Sequence, residues 1–123
     1  MRTIFIAIVM VIVLSGSFTF AATAPEVPVK GVVTMVDLGA KSCIPCKMMA
    51  PILEELGAAY KGKAEIIFID VRENPDQAPK FNIRAIPTQI FYDKDGREYW
   101  RHQGFLDKET IVAKLRALGV EGP

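Results

Sequence analysis

The two cysteines of this chain, Cys43 and Cys46, stand three residues apart between an apolar run and a helical pattern. The apolar run at 32–38 is short and rich in β-branched residues, which is typical of a buried strand. The residues that then recur at the spacing of one helix face are Met49, Ile52, Leu53, Leu56 and Tyr60. The pattern predicts a strand, a tight turn that carries both cysteines, and a helix over 42–60.

The start of a helix changes the chemistry of a thiol that lies there. Its unpaired N–H groups and the positive end of its dipole stabilise a thiolate, which is the nucleophile in disulfide exchange. We therefore expect Cys43 to ionise more readily than an ordinary thiol, with Cys46 one turn further along and within reach of it. A structural disulfide is the alternative, but so short a ring contributes only about 2 kcal/mol in the chain-entropy account.

The first residues have the composition of a targeting segment. Arg2 precedes apolar residues at 3–14, and a cluster of small residues follows up to Ala24. This order is typical of a signal peptide. No charge occurs between Arg2 and Glu26, so an uncleaved signal anchor of about 20 residues is the alternative.

The sequence thus predicts a signal peptide or signal anchor at 1–24 and one domain at 25–123. In both cases the domain is exported to the periplasm or another extracytoplasmic space, where disulfides form and persist. In the second case residues 3–24 anchor it to the inner membrane.

Charge and ligand counts exclude two classes of function. Lys and Arg number 15 in the whole chain, so 14 remain without Arg2, against 14 Asp and Glu. A neutral domain lacks the basic patch that nucleic-acid binding requires. A zinc site takes about four ligands, and beyond the cysteines the single histidine, His102, lies far along the chain. We therefore predict no metal site.

The sequence of the rest of the domain predicts further strands and helices. The apolar run at 65–70 predicts a strand covered on both faces, and Asn74 before Pro75 predicts the cap of a short helix that ends near Phe81. Further predicted elements are a strand at 88–92, a hairpin turn at 93–96, a strand at 97–103 and a helix between Asp107 and Gly119. The order is βαβαββα.

Several motifs in this order make the chain resemble the thioredoxin family from about residue 32 to 118. The segments that carry the resemblance are Val36-Asp37, Cys43-Ile44-Pro45-Cys46-Lys47-Met48, Ala50-Pro51-Ile52-Leu53, Asn74-Pro75, Ala78-Pro79-Lys80-Phe81, Ile83-Arg84-Ala85-Ile86-Pro87-Thr88 and Gly104. The resemblance implies an α/β thioredoxin-like fold. Because few residues precede the first strand, we expect a shortened βαβαββα core, with a four-stranded mixed sheet flanked by helices.

The resemblance also implies roles for individual residues. Cys43 would be the nucleophile and Cys46 the resolving cysteine of a redox-active disulfide, and Asp37 the buried carboxylate that exchanges a proton with Cys46. Pro87 would follow a cis peptide bond, and the backbone of Ile86 would bind the substrate strand. Ile44 and Pro45, which lie between the cysteines, complete the predicted substrate-binding residues.

The chain departs from the family pattern at four positions. Ser42 stands where the family has tryptophan before the first cysteine, and Ile44 stands where it has glycine. Gly39 corresponds to a second family tryptophan. The family lysine that pairs with the aspartate falls at Phe68, so we expect Asp37 to be more strongly neutralised than usual.

These observations predict an exported protein-disulfide oxidoreductase that needs no cofactor. Its partners would be proteins with disulfides or thiols and a membrane thiol electron donor, and we expect a monomer. Since Ile44-Pro45 carries no charge that would hold the reduced form as thiolate, we expect a reductant. A disulfide oxidase or isomerase of the same fold, and a non-catalytic binding module with a structural disulfide, are the alternatives.

Overall fold

The computed structural model describes residues 23–123, so the predicted targeting segment lies almost entirely outside the described residues. The elements follow one another as β1 (Val33–Gly39), α1 (Ile44–Ala59), β2 (Ala64–Asp70), α2 (Gln77–Lys80), β3 (Thr88–Tyr92), β4 (Glu98–Gln103) and α3 (Lys108–Ala117). This order confirms the βαβαββα prediction. Within 23–123, no helix is both long enough and apolar enough to cross a membrane.

The strands of the described residues form a four-stranded mixed sheet in the order β2-β1-β3-β4. β1 runs parallel to β2 and antiparallel to β3, and β3 runs antiparallel to β4. The two central strands, β1 and β3, are buried along their whole length. The predicted fold class is therefore confirmed.

The sheet separates two apolar cores because successive residues of a strand point to opposite faces. One face of β1 contributes Val33 and Met35 to a core that α1 and α3 cover with Met49, Leu53, Leu56, Ile111 and Leu115. The other face contributes Val36 and Leu38, which pack with Val27, Ile69, Phe81, Ile90 and Tyr92. The first core carries α1, and with it the two cysteines.

Both long helices begin at a residue with extended backbone and a capping side chain. Cys43 is the N-cap of α1, and α1 then continues through Pro51 to Ala59. Asp107 is the N-cap of α3, and its carboxylate accepts a hydrogen bond from the Thr110 N–H at 2.8 Å. The predicted cap of α3 is confirmed.

The prediction for β2 is wrong in the extent of its burial. The strand lies at the edge of the sheet, and although Ala64 and Ile66 pack in the first core and Ile67 and Ile69 in the second, its cover is incomplete. Glu65 and Phe68 are exposed, Phe68 at 39%. The β-branched composition of the run indicates a strand, but it does not say whether that strand is central or at an edge.

The predicted cap of α2 is also wrong. The helix covers only Gln77–Lys80 and starts after Asp76, which makes no capping hydrogen bond with its side chain. The Asn74 side chain instead donates a hydrogen bond to the Asp70 carbonyl at 3.0 Å. Asn74 therefore fixes the turn that leaves β2.

Candidate active site

Cys43 and Cys46 form a disulfide within the first turn of α1, with their α-carbons 5.1 Å apart. The Cys43 sulfur accepts a hydrogen bond from the Cys46 N–H at 3.3 Å, so it takes up one of the unpaired donors of the helix start. Cys46 is buried, with 4% exposure, whereas Cys43 is partly exposed. An incoming sulfur would therefore meet Cys43 first.

Asp37 is completely buried on the face of β1 that α1 covers. Met35, Asp37 and Gly39 alternate along β1 and therefore point to the same face. On this face Met35 lies in the first core, and an ideal β-carbon on Gly39 would lie 3.1 Å from the Cys46 sulfur. Asp37 therefore lies between the first core and the disulfide. Burial raises the pKa of Asp37 from 3.8 to about 6, and a hydrogen bond from Gln89 partly offsets this rise. A carboxyl group with this pKa can take or give a proton near neutral pH.

Gln89 is a polar residue of this site that the sequence did not reveal. It is completely buried on β3, directly opposite Asp37, and its amide nitrogen donates a hydrogen bond to Asp37 Oδ1 at 2.8 Å. On the other side of Asp37 the register places Phe68. The carboxyl group therefore has one polar and one apolar neighbour across the sheet.

A cavity of about 390 Å³ opens beside the buried cysteine. Apolar side chains make up most of its lining: Ala40, Cys46, Ala50, Leu53, Ile66 and Phe68. Phe68 closes over Gly39, where an ideal β-carbon would lie 3.2 Å from its ring.

Asp70 orders the backbone around the site from the end of β2. Its carboxylate accepts hydrogen bonds from the N–H groups of Lys41 at 3.0 Å, Arg72 at 2.8 Å and Glu73 at 3.1 Å. These bonds, that of Lys41 first, lower the pKa of Asp70. Arg72 also contacts the Ser42 hydroxyl. The segment that precedes Cys43 is thus held against the turn after β2.

The predicted substrate-binding residues lie at the same end of the sheet as the cysteines. β1 ends at Gly39 and leads to Cys43, while β3 begins at Thr88 opposite Leu38. Pro87 directly precedes Thr88, is buried and follows a cis peptide bond, and Ile86 is partly exposed.

Two further residues of the predicted set lie between the cysteines. Ile44 is 74% exposed and Pro45 is partly buried. All seven residues predicted for the site, including Asp37, therefore lie at this end of the sheet.

His102 lies outside this arrangement. Its ring stacks on Trp100 with centroids 5.7 Å apart, and its Nε2 contacts the Phe105 carbonyl at 3.1 Å. Among residues 23–123, no group of three or more His, Cys, Asp or Glu side chains is arranged to hold a metal ion. The chemistry of the described site is therefore that of its two sulfur atoms and one buried carboxyl group.

Comparisons with known proteins agree with this geometry. Residues 20–117 match the family model for thioredoxin. The thioredoxins of Staphylococcus aureus strains Mu50 and MW2 are 48% identical over 83 residues, which cover 68% of this chain and 79% of theirs. The crystal structure of chloroplastic thioredoxin z has a TM-score of 0.66 and 30% identity, covering 72% of this chain and 80% of that one.

Proposed function

This chain belongs to the thioredoxin family and is a thiol–disulfide oxidoreductase, and we propose that it works as an exported reductant of protein disulfides. The observation that carries the proposal is the disulfide at the helix start, with a partly exposed Cys43 sulfur and a buried Cys46 sulfur. This asymmetry gives the two cysteines different roles.

The proposed reaction has two exchange steps. The Cys43 thiolate attacks one sulfur of a substrate disulfide, and the other substrate sulfur leaves as a thiolate that takes a proton from water. The Cys46 thiol then gives its proton to Asp37 and attacks the Cys43 sulfur, so that the second substrate sulfur leaves. Two electrons pass to the substrate, and the Cys43–Cys46 disulfide forms.

Each step uses a feature of the site. The start of α1 stabilises the Cys43 thiolate, since the sulfur there accepts a backbone N–H. Asp37 serves the second step, because a pKa of about 6 leaves it ionised at neutral pH and still able to accept a proton. Ile86, Pro87, Ile44 and Pro45 would contact the substrate chain beside Cys43.

The direction of electron flow is argued from charge. Ile44 and Pro45 place no cation between the cysteines, and the buried Asp37 next to them is an acid. The reduced form is therefore not stabilised as it is in strong oxidants, and we expect a potential between about −200 and −270 mV. An equilibrium of the purified domain with glutathione measures it. A value above about −180 mV would establish the oxidase or isomerase alternative.

The proposal of export rests on the first residues of the sequence, where Arg2 precedes the apolar run at 3–14. A reductant outside the cytoplasm needs electrons from a thiol carrier in the membrane. Fusing residues 1–24 to a reporter enzyme that is active only after export tests this part, with the fusion lacking 3–14 as control. Equal reporter activity from both fusions would contradict export.

The central experiment replaces Cys46. In the Cys46→Ser variant the mixed disulfide on Cys43 cannot be resolved, so substrate proteins should remain covalently bound and be released by dithiothreitol. Cys43→Ser should trap none. If both variants keep full function, the disulfide is structural and the chain is a binding module.

A further inference from the structure

We propose that Gln89 is a positioning residue that holds the Asp37 carboxyl group ready for proton exchange with Cys46. The inference rests on the role proposed above for Asp37. Gln89 acts through this carboxyl group and does not touch the reacting sulfur atoms. It lies on β3, in the segment 88–92 for which the sequence predicts only a strand.

The geometry of the pair carries the proposal. Asp37 and Gln89 are both completely buried and face each other across β1 and β3. The amide nitrogen of Gln89 lies 2.8 Å from Asp37 Oδ1, and within residues 23–123 it is the one hydrogen-bond donor to this carboxyl group. Asp37 Oδ2 has no partner among the described residues. Gln89 thus fixes one oxygen and leaves the other available for the proton.

A carboxamide suits a carboxyl group that changes its protonation state. Its nitrogen donates to the ionised form, and its oxygen can accept from the protonated form after the amide turns over. The Gln89 oxygen is itself unpartnered among the described residues, so it is free for that second arrangement. Because hydrogen bonds to a charged group are about twice as strong as neutral ones, Gln89 favours the carboxylate on balance.

Apart from Gln89, no described group donates a hydrogen bond to the buried Asp37 carboxylate to offset its loss of hydration. Phe68 of β2, the neighbour of Asp37 on the other side, is apolar. The titratable or charged residues of the surrounding elements are Cys46, Lys47, Glu54 and Glu55 on α1, Glu65 and Asp70 on β2, and Glu98, Tyr99, Arg101 and His102 on β4, of which His102 is paired with Gln89. Of these, Asp70 already accepts three backbone N–H groups.

The consequence for the reaction concerns the second exchange step. The proton leaves the Cys46 thiol for the Asp37 carboxylate, the new Cys46 thiolate attacks the Cys43 sulfur, and the substrate sulfur leaves. Without Gln89 the carboxylate loses its donor, so a larger fraction of Asp37 is already protonated at neutral pH and cannot accept. The step should then slow at pH 7 and recover at higher pH.

The test measures the titration of Asp37 by the ¹³C chemical shift of its carboxyl carbon in the oxidised protein. Gln89→Met keeps the length of the side chain and removes the amide, and we expect the midpoint to rise by about one pH unit. Gln77→Met is the matched control. Gln77 is also buried, donates to Asp76 at 2.7 Å and has an unpartnered oxygen among the described residues, but it lies on α2. An unchanged midpoint in folded Gln89→Met would overturn the proposal.

A second measurement needs no variant. In the ¹⁵N-labelled wild-type protein, the chemical shifts of the Gln89 side-chain amide protons should change with pH, with the same midpoint as the titration of the Asp37 carboxyl carbon. Amide shifts that do not change over this pH range would also overturn the proposal.

The kinetic readout separates positioning from a purely structural role. For release of a mixed disulfide by Cys46, the midpoint of the pH profile should move upward in Gln89→Met and stay in place in Gln77→Met. A uniform loss of rate at every pH would mean that Gln89 only packs. The carbon titration uses no substrate, so it still tests the pair if the trapping experiment fails and the proposed function falls.

Discussion

Gly39 lies so close to Cys46 that an ideal β-carbon at this position would be 3.1 Å from the cysteine sulfur and 3.3 Å from its β-carbon. The sulfur is held by its bond to Cys43 and cannot move away easily. We expect Gly39→Ala to lower the free energy of unfolding of the oxidised protein by about 1–2 kcal/mol, the usual effect of overpacking. Urea denaturation measures it.

The same substitution at Gly57 serves as the control. Gly57 lies inside α1, where an added β-carbon would meet nothing within 4 Å. Gly57→Ala should therefore raise stability by about 0.5–1 kcal/mol through helix propensity. If Gly39→Ala is as stable as wild type or more stable, the close approach at Cys46 does not limit residue 39.

The buried Asp37 should make the protein more stable in mild acid. Its pKa is raised to about 6 in the folded state, so the folded chain binds a proton that the unfolded chain releases between pH 4 and 6. Stability contributed by the protonated form is full below about pH 4 and is lost as the pH rises through 6. A rise in pKa from 3.8 to about 6 corresponds to about 3 kcal/mol.

Asp37→Asn removes this penalty and keeps an oxygen for the Gln89 amide. We expect the variant to be more stable than wild type at pH 7 by on the order of 2–3 kcal/mol, with little difference at pH 4. Urea denaturation at both pH values checks this, and Asp95→Asn in the exposed hairpin turn is the control. An Asn variant less stable than wild type at pH 7 would contradict the raised pKa.

Asp70 should show the opposite pH dependence. Backbone hydrogen bonds lower its pKa, so its contribution is present above its ordinary value of 3.8 and disappears as the pH falls below it. Asp70→Ala leaves the N–H groups of Lys41, Arg72 and Glu73 without their acceptor, and we expect a loss of about 2 kcal/mol at pH 7.

The loss from Asp70→Ala should shrink at pH 3, because below the ordinary value of 3.8 the unfolded wild-type chain takes up a proton at Asp70 and the advantage of the folded carboxylate decreases. Thermal unfolding at both pH values tests this. A difference of equal size in acid would mean that the Asp70 side chain acts through packing instead of its charge.

Ile44 is exposed between the cysteines and has little to contribute to the core. Ile44→Ala should therefore leave the free energy of unfolding within about 0.5 kcal/mol while raising the KM for a protein disulfide. Reduction of a small aromatic disulfide should keep its rate. Met48→Ala, another exposed apolar residue on α1, is the control. An unchanged KM in Ile44→Ala would remove this residue from the substrate-binding set.

The local elements could be read from the sequence because each has its own signal. The strand, the cysteine turn and the first helix follow from periodicity, and Asp107 and Gly119 mark the ends of the last helix as predicted. The predicted cap of α2 was wrong because an Asn74 side chain can either cap a helix or bind a nearby backbone group. In the structure it donates a hydrogen bond to the Asp70 carbonyl. Local sequence does not decide between such alternatives.

The partner of Asp37 could not be read in this way. Gln89 lies 52 residues further along the chain, and it faces Asp37 only through the register of β1 and β3. A glutamine within the strand predicted at 88–92 was a signal of a buried polar contact, but a one-residue change of register would turn it to the other face. The pairing of strands therefore had to be known first.

The cysteines are separated by only two residues, so their bond closes a very small loop within one helical turn. Opening it gives the unfolded chain little additional freedom. A difference in denaturation midpoint between the dithiol and disulfide forms therefore reflects how the folded surroundings favour one oxidation state over the other. By a thermodynamic cycle, the difference in unfolding free energy between the two forms equals the gap between the reduction potentials of the native and the denatured protein, multiplied by the charge of the two electrons transferred. Denaturation curves of the dithiol and disulfide forms would thus measure, without an electrode, how much folding changes the reduction potential.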